Sequence, residues 1–208
     1  MLDYLRRFLP RDNVLLENLE LAGAARTDIQ PSIEPELGKL LGLLVRLTGA
    51  KRVLELGTGV GYSAIWLGEA VKVTGGTVVT IDNHERTHRE VVGNLARAGL
   101  TDVVESLLGD AEKLVPELEG GWDLVFQDGG KYLYPLLYEE LFQQLKTGGI
   151  LAADDTLFRV NSRVRKQLGL YTDEYNRKVF SDPRFYSTIL PVGHGITISL
   201  KLGDSCGG

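Results

Sequence analysis

Three carboxylates follow apolar runs in the second half of the chain: Asp128 after Trp122-Asp-Leu-Val-Phe-Gln127, and the pair Asp154-Asp155 after Ile150-Leu-Ala-Ala153. If those runs are adjacent strands, the three acids converge on one crevice, which is unfavourable unless a cation neutralises them. An all-oxygen ligand set suits a hard ion, Mg²⁺ ahead of Mn²⁺ or Ca²⁺. Lys131 stands three residues after the first acid, and an amine beside a metal can have its pKa depressed far enough to accept a proton. The competing reading is structural, with Asp128 capping a helix and Asp154 and Asp155 in a solvated turn.

A second constellation lies upstream. Glu55-Leu-Gly57-Thr-Gly59-Val-Gly61-Tyr-Ser63 follows the apolar run Val53-Leu54 and opens a helix-like segment. A strand that breaks into alternating glycines before a helix brings backbone close to a ligand. The dinucleotide fingerprint is G-x-G-x-x-G, whereas this turn reads E-x-G-x-G-x-G, with an acid two residues before the first glycine. A pyrophosphate gains nothing from that carboxylate. A ligand with an ammonium group does, which favours S-adenosylmethionine (SAM) over a nicotinamide dinucleotide. Asp82, about twenty residues past the last glycine at the end of Thr77-Val-Val-Thr-Ile81, is placed to hold both ribose hydroxyls.

The elements that must position these residues alternate. The periodicity predicts helices over 2–9, 12–25 and 35–47 ahead of the main fold. From Lys51 it predicts strand 52–56, helix 61–72, strand 77–81, helix 84–98, strand 103–107, helix 111–118, strand 122–127, helix 131–145 and strand 149–153. This alternation implies an α/β fold with a parallel sheet covered on both faces. After Asp155 one helix, about 162–180, precedes two close β-like runs, 185–190 and 195–202, which read as an antiparallel hairpin closing the sheet. Ligands in such sheets bind beyond the carboxyl ends of the strands.

The totals exclude several classes. The 208 residues suit a single domain, with N-terminal helices over 1–48, a core over 51–202 and a flexible tail over 203–208. A net charge of -5 and a pI near 5.3 argue against general nucleic-acid binding. Between Arg159 and Arg184, however, seven basic residues stand against three acids. The single cysteine, Cys206, rules out a disulfide framework within one chain and fits a reducing cytoplasm. No run has the length or continuity of a signal peptide or a membrane span.

With Gly109-Asp-Ala111, Phe126-Gln-Asp-Gly-Gly-Lys131 and Tyr134, Gly148-Gly-Ile-Leu-Ala-Ala-Asp-Asp-Thr-Leu157 and Leu190-Pro-Val-Gly-His-Gly195 added to the glycine turn, the chain resembles the cation-dependent O-methyltransferases. These include the catechol and caffeoyl-CoA enzymes, and the resemblance, to a bacterial-type member, runs from about Ser32 to Leu202. It implies a Rossmann-like class I methyltransferase with a mostly parallel seven-stranded sheet, and a homodimer. It implies that Glu55, Gly57, Thr58, Gly59, Gly61 and Ser63 surround the methionine end of SAM and that Asp82 binds the ribose. Asp110 and Ala111 would border the adenine, Ile33 would line the pocket, and Tyr62 would pack along the cofactor. Asp128, Asp154 and Asp155 would hold the metal, with Asp128 also bordering the cofactor. Lys131 would be the catalytic base and Tyr134 a substrate contact, unless Tyr134 is a core-facing helix tyrosine.

Two departures from the family bear on the expected site. The family usually has Asp-Asn where Asp154-Asp155 stands, so three full carboxylates face the ion, and it commonly has an acid where Gly130 stands. His194 replaces an acid frequent in the last loop and is assigned no role. His84-Glu85-Arg-Thr-His88 matches the zinc-protease signature H-E-x-x-H, but it begins an exposed helix turn with no third ligand nearby, and a solvated surface accounts for it.

The expected reaction is methyl transfer from SAM to a hydroxyl of a small acceptor with two adjacent oxygens. Relatives that methylate a hydroxylated uridine in tRNA make RNA, held by the basic segment 159–184, the alternative acceptor. A SAM-binding protein without catalysis is a third reading, opposed by the intact lysine and carboxylates.

Overall fold

The protein is described by a computed structural model covering residues 4, 7, 8, 13–161 and 163–203. In chain order the elements are α1 (Val14–Ala24), α2 (Pro35–Thr48), β1 (Arg52–Leu56), α3 (Tyr62–Thr74), β2 (Thr77–Asp82), α4 (Glu85–Ala98) and β3 (Val104–Leu108). There follow α5 (Ala111–Leu114), β4 (Trp122–Gln127), α6 (Leu133–Leu136), α7 (Tyr138–Gln144), β5 (Leu145–Ala153), α8 (Lys166–Ser181), β6 (Phe185–Leu190) and β7 (Ile196–Lys201). The strands form one sheet in the order β3-β2-β1-β4-β5-β7-β6. The first five run parallel, and β7 is antiparallel to both β5 and β6. The Rossmann-like sheet with a closing hairpin therefore stands as expected.

Central strands with apolar side chains on both faces can be covered on both sides, and they are. Val53, Leu124, Phe126 and Ile150 face Leu37, Leu41 and Val45 of α2 and Ile65 of α3. Leu54, Leu56, Val125 and Leu151 face Leu141 and Phe142 of α7 and Tyr175 and Val179 of α8. Both layers are needed, because either face left open would expose the aliphatic side chains of every central strand.

Register decides where the chemistry goes. Leu56 pairs with Ile81 on one side and with Gln127 on the other, and Gln127 pairs with Ala153. The next residues are Gly57, Asp82, Asp128 and Asp154, so all four step off the sheet at the same level. The crevice between β1 and β4, where the strand order reverses, is the ligand position expected of this topology.

Four elements differ most from the sequence reading. The helix expected over 131–145 is two short pieces, α6 and α7, starting at Leu133. Pro135 has no N–H and its ring would clash with the carbonyl of residue 131, so no helix can run through from Lys131. Strand β5 begins at Leu145 rather than 149, with a register irregularity opposite Trp122–Leu124 that lies between Leu145 and Ile150. Helix α8 starts at Lys166 rather than 162, and helix 111–118 is α5 followed by a 3-10 turn at Val115–Glu117. Most of the helix expected over 2–9 and most of the tail 203–208 lie outside the described residues.

Candidate active site

Gly57 leaves β1 with φ +100, and its N–H donates to the Ile81 carbonyl at 2.9 Å. A Cβ there would lie 2.5 Å from the Gly129 nitrogen and 2.6 Å from the Asp128 carbonyl carbon. Those are backbone atoms of the loop that carries Asp128 and cannot swing aside. Gly57→Ala is therefore expected to lower stability by about 2 kcal/mol or more, a fall of several degrees in Tm. Gly59, with φ +54 and nothing within 4 Å of its would-be Cβ, is the control; its alanine variant meets only the left-handed penalty of about 1 kcal/mol. Equal melting temperatures for the two variants would contradict this packing.

Glu55 is fully buried on β1 beside Thr80, its register partner on β2. The Thr80 hydroxyl donates to Glu55 Oε2 at 2.6 Å. That uses the Thr80 proton, so the Thr58 hydroxyl is the donor in the 2.6 Å contact between the two threonines. Burial pushes the Glu55 carboxyl up to about 7 against the pull of the Ser63 and Thr80 hydroxyls. Glu55 Oε1 has no hydrogen-bond partner, a buried acceptor awaiting a donor. Asp82 closes the other side of the turn, accepting from the Gly59 N–H and the His84 N–H, each at 2.9 Å. Ile33 and Ala111 are buried, Tyr62 is packed into the core, and Asp110 caps α5 by accepting from the Glu112 N–H at 3.1 Å.

The three aspartates converge: one carboxylate oxygen from each of Asp128, Asp154 and Asp155 lies within 4.8 Å of the others. Burial pushes the Asp128 carboxyl up to about 6 and the Asp154 carboxyl well above the usual carboxylate range, reinforced by the neighbouring acids. Asp154 Oδ1 is buried without a partner. Lys131 is the counter-charge, with Nζ 3.1 Å from Asp128 Oδ1 and 2.7 Å from Asp155 Oδ2. Burial works against its proton, but the surroundings win and hold the ammonium well above its ordinary value. Tyr134 is itself pushed up by burial and stays neutral at pH 7, so the charges that keep Lys131 protonated are those of Asp128 and Asp155.

An oxygen-only, acidic donor set with an orphaned buried oxygen fits a hard divalent cation. The orphaned Glu55 oxygen and the glycine backbone beside it likewise fit an ammonium-bearing cofactor.

Tyr134, for which the sequence left open a substrate contact or a core-facing tyrosine, is 1% exposed, its hydroxyl accepting from Lys131 Nζ at 2.9 Å and donating to the Gln127 carbonyl at 2.8 Å. Packed edge-on against Tyr175, it supports the lysine from behind. Gly130 also has a local reason: a Cβ there would lie 2.8 Å from the Tyr132 ring, which fills the space the family's acid would need.

The structure adds two residues that the sequence reading passed over. Thr80 was discoverable, being a hydroxyl in an aliphatic strand two residues before Asp82 and on its face. Glu34, at the start of α2, packs against Gly193 and adds its charge to the field at Asp128; nothing in its neighbourhood in sequence marks it. The H-E-x-x-H histidines point elsewhere, His84 Nδ1 to Thr87 and His88 Nδ1 to Ser106. Among the described residues the three aspartates form the one metal-competent group.

Comparison with known proteins agrees with this geometry. The family model described as O-methyltransferase matches residues 9–202. Tricin synthase 2 of Oryza sativa subsp. japonica is 31% identical over 93% of this chain and 71% of its own length. A catechol O-methyltransferase of Niastella koreensis is 33% identical over 70% of this chain and 66% of its own. The crystal structure of an O-methyltransferase from Bacillus cereus in complex with SAH superposes with a TM-score of 0.85 at 26% identity, covering 96% of each chain. A glycine turn with a buried acid, a cluster of strand-end aspartates and a match across nearly the whole chain lead to one conclusion: the chain belongs to the O-methyltransferase family of SAM-dependent enzymes.

Proposed function

We propose that this enzyme moves a methyl group from SAM to a hydroxyl of a small, catechol-like acceptor with two adjacent oxygens, using a divalent cation held by Asp128, Asp154 and Asp155. The observation that carries the proposal is the convergence of three carboxylates, one with an orphaned buried oxygen, on the amine of Lys131. A bound cation supplies a Lewis acid that lowers the hydroxyl pKa and orients the acceptor. Mg²⁺ fits best, with Mn²⁺ or Ca²⁺ as alternatives. A relative named catechol O-methyltransferase supports the acceptor class.

The chain's own residues do the rest. Glu55, with Thr58, Ser63 and the backbone of Gly57, Gly59 and Gly61, holds the methionine end of SAM. Asp82 holds the ribose, Asp110, Ala111 and Ile33 border the adenine, and Tyr62 backs the turn. Lys131 takes the acceptor's proton. With Asp128 and Asp155 engaged by a cation, burial dominates at its Nζ and favours the neutral amine. Alignment of the acceptor with the methyl group, rather than covalent chemistry by the protein, then supplies the rate.

Transfer of labelled methyl from SAM to catechol but not to phenol is the expected outcome. Equal transfer to both would remove the need for two oxygens and sink the proposal.

Glu55 gives a further test. In the ligand-free fold its pKa is about 7 against a reference of 4.5, so the fold favours the protonated acid. Its contribution to ligand-free stability declines as pH rises from 4.5 through about 7, by roughly 3 kcal/mol in all. The ammonium of SAM needs the carboxylate, so SAM affinity should rise between about pH 6 and 7.5, with a proton released on binding. Calorimetry in two buffers of different ionisation enthalpy measures both; a flat affinity with no proton released is the contrary result.

A second reading, tRNA as acceptor, has one observation in its favour. Arg177, Lys178 and Arg184 are each paired to acids. Arg159, Arg163, Arg165 and Lys166, all exposed just past the acidic loop, pair with no acid among the described residues. Methyl incorporation into bulk tRNA, steeply lowered by salt, would decide for RNA.

A further inference from the structure

Among the described residues Asp155 is the one non-glycine with a positive φ, at 60°. That conformation is tolerated by Asp and Asn better than by other side chains, so the backbone aims this side chain at some expense. Its carboxylate is then held at both oxygens. Lys131 Nζ is 2.7 Å from Oδ2, and His194 Nδ1 is 3.2 Å from Oδ1. A carboxylate has only lone pairs to offer, so Nδ1 is the donor in the second contact.

His194 is not a loosely tethered surface side chain, although about half of it is exposed. Its loop, between β6 and β7, is clamped to the acidic loop. The Thr156 and Leu157 N–H groups donate to the Gly195 and His194 carbonyls, each at 2.9 Å. Gly195, with φ +92, packs so closely on the Leu157 side chain that no Cβ would fit. The imidazole itself packs on the Phe158 ring, with centroids 5.3 Å apart. The ring is thus fixed by its backbone, by an aromatic neighbour and by Asp155.

This bears on the carboxylate at position 155, where the family usually has an amide. An amide at position 155 would present one oxygen to a cation, whereas a carboxylate presents two. Ca²⁺ accepts bidentate carboxylates readily; Mg²⁺ demands a compact octahedron and one oxygen per ligand. We propose that His194 is a positioning residue for the cation site: by holding Oδ1 it restricts Asp155 to one oxygen toward the ion and so biases the site to a small octahedral cation over Ca²⁺. The inference rests on the cation reading above. Donors outside the ligand shell commonly shift metal affinity by tenfold or more, so the effect is large enough to measure.

The test is ion affinity in the full chain without SAM or acceptor, from calorimetric titrations with Mg²⁺ and with Ca²⁺. His194→Phe keeps a ring against Phe158 but removes the donor, and His194→Ala removes both. Each is expected to shift the Ca²⁺ to Mg²⁺ affinity ratio toward Ca²⁺ by at least about tenfold, while His194→Gln, which retains an N–H, stays within about twofold of the original. In an Asp155→Asn background the His194→Phe change should leave the ratio unmoved. An unchanged ratio in His194→Phe, or the same shift in both backgrounds, overturns the inference and leaves the cation reading standing. Absence of saturable binding of either ion to the unmodified chain overturns both.

Discussion

Lys131→Met is expected to lower kcat by about a hundred- to ten-thousandfold, the range of a lost general base, and at the same time to tighten divalent-cation binding. The second half follows from geometry. The Lys131 ammonium sits 3.1 Å from Asp128 and 2.7 Å from Asp155, so a cation entering the cluster must displace a charge already there. Methionine matches the length of the stem but leaves the carboxylates facing each other with no positive partner. The ion-free variant should melt below the parent, and Mg²⁺ should raise its Tm by more than it raises the parent's. Thermal melts with and without Mg²⁺, beside a labelled-methyl assay, check both parts. Retained turnover or weakened cation binding would contradict the assignment of Lys131 as a base that doubles as the resting counter-ion.

Asp154→Asn is expected to act in the opposite sense on stability and in the same sense on turnover. Asp154 is 4% exposed, its Oδ1 has no partner, and its carboxyl is raised by burial and by Asp128 and Asp155. In EDTA it is a buried acid next to two others, so replacing it with a neutral isostere relieves repulsion, and the variant should melt at or above the parent. Its turnover should fall at least about a hundredfold, and the Mg²⁺-dependent rise in Tm should vanish. The pH dependence of the parent has the same origin. Burial pushes the Asp128 carboxyl up to about 6 against a reference of 3.8, so its contribution to ion-free stability declines as pH rises from 3.8 through about 6. Cations that need the carboxylates should bind better above that range. A destabilised Asp154→Asn protein in EDTA, or a normal Mg²⁺ response, would show that Asp154 serves the fold rather than an ion.

Much of this was legible from residues alone, for a simple reason. Each central strand ends in a glycine or an acid, and because parallel register aligns those ends, the sequence alone assigns Gly57, Asp82, Asp128 and Asp154 to one crevice. What escaped were contacts without a periodic signature. The Tyr134 hydroxyl turns inward to Lys131 Nζ and the Gln127 carbonyl. Tyr132 closes the space above Gly130, Glu34 reaches Gly193 from a helix start, and His194 meets Asp155 across 39 residues of chain. Such pairs are set by how loops settle on one another once the sheet has formed, and neither hydropathy nor spacing encodes that.

In the proposed mechanism Asp128, Asp154 and Asp155 serve methyl transfer by holding a divalent cation, and that role can be removed and restored. It is tested most directly by the rate of methyl transfer to catechol in excess EDTA and after Mg²⁺ is restored. The expected result is a loss of at least about a hundredfold in EDTA and full recovery with Mg²⁺. An undiminished rate in EDTA would contradict it.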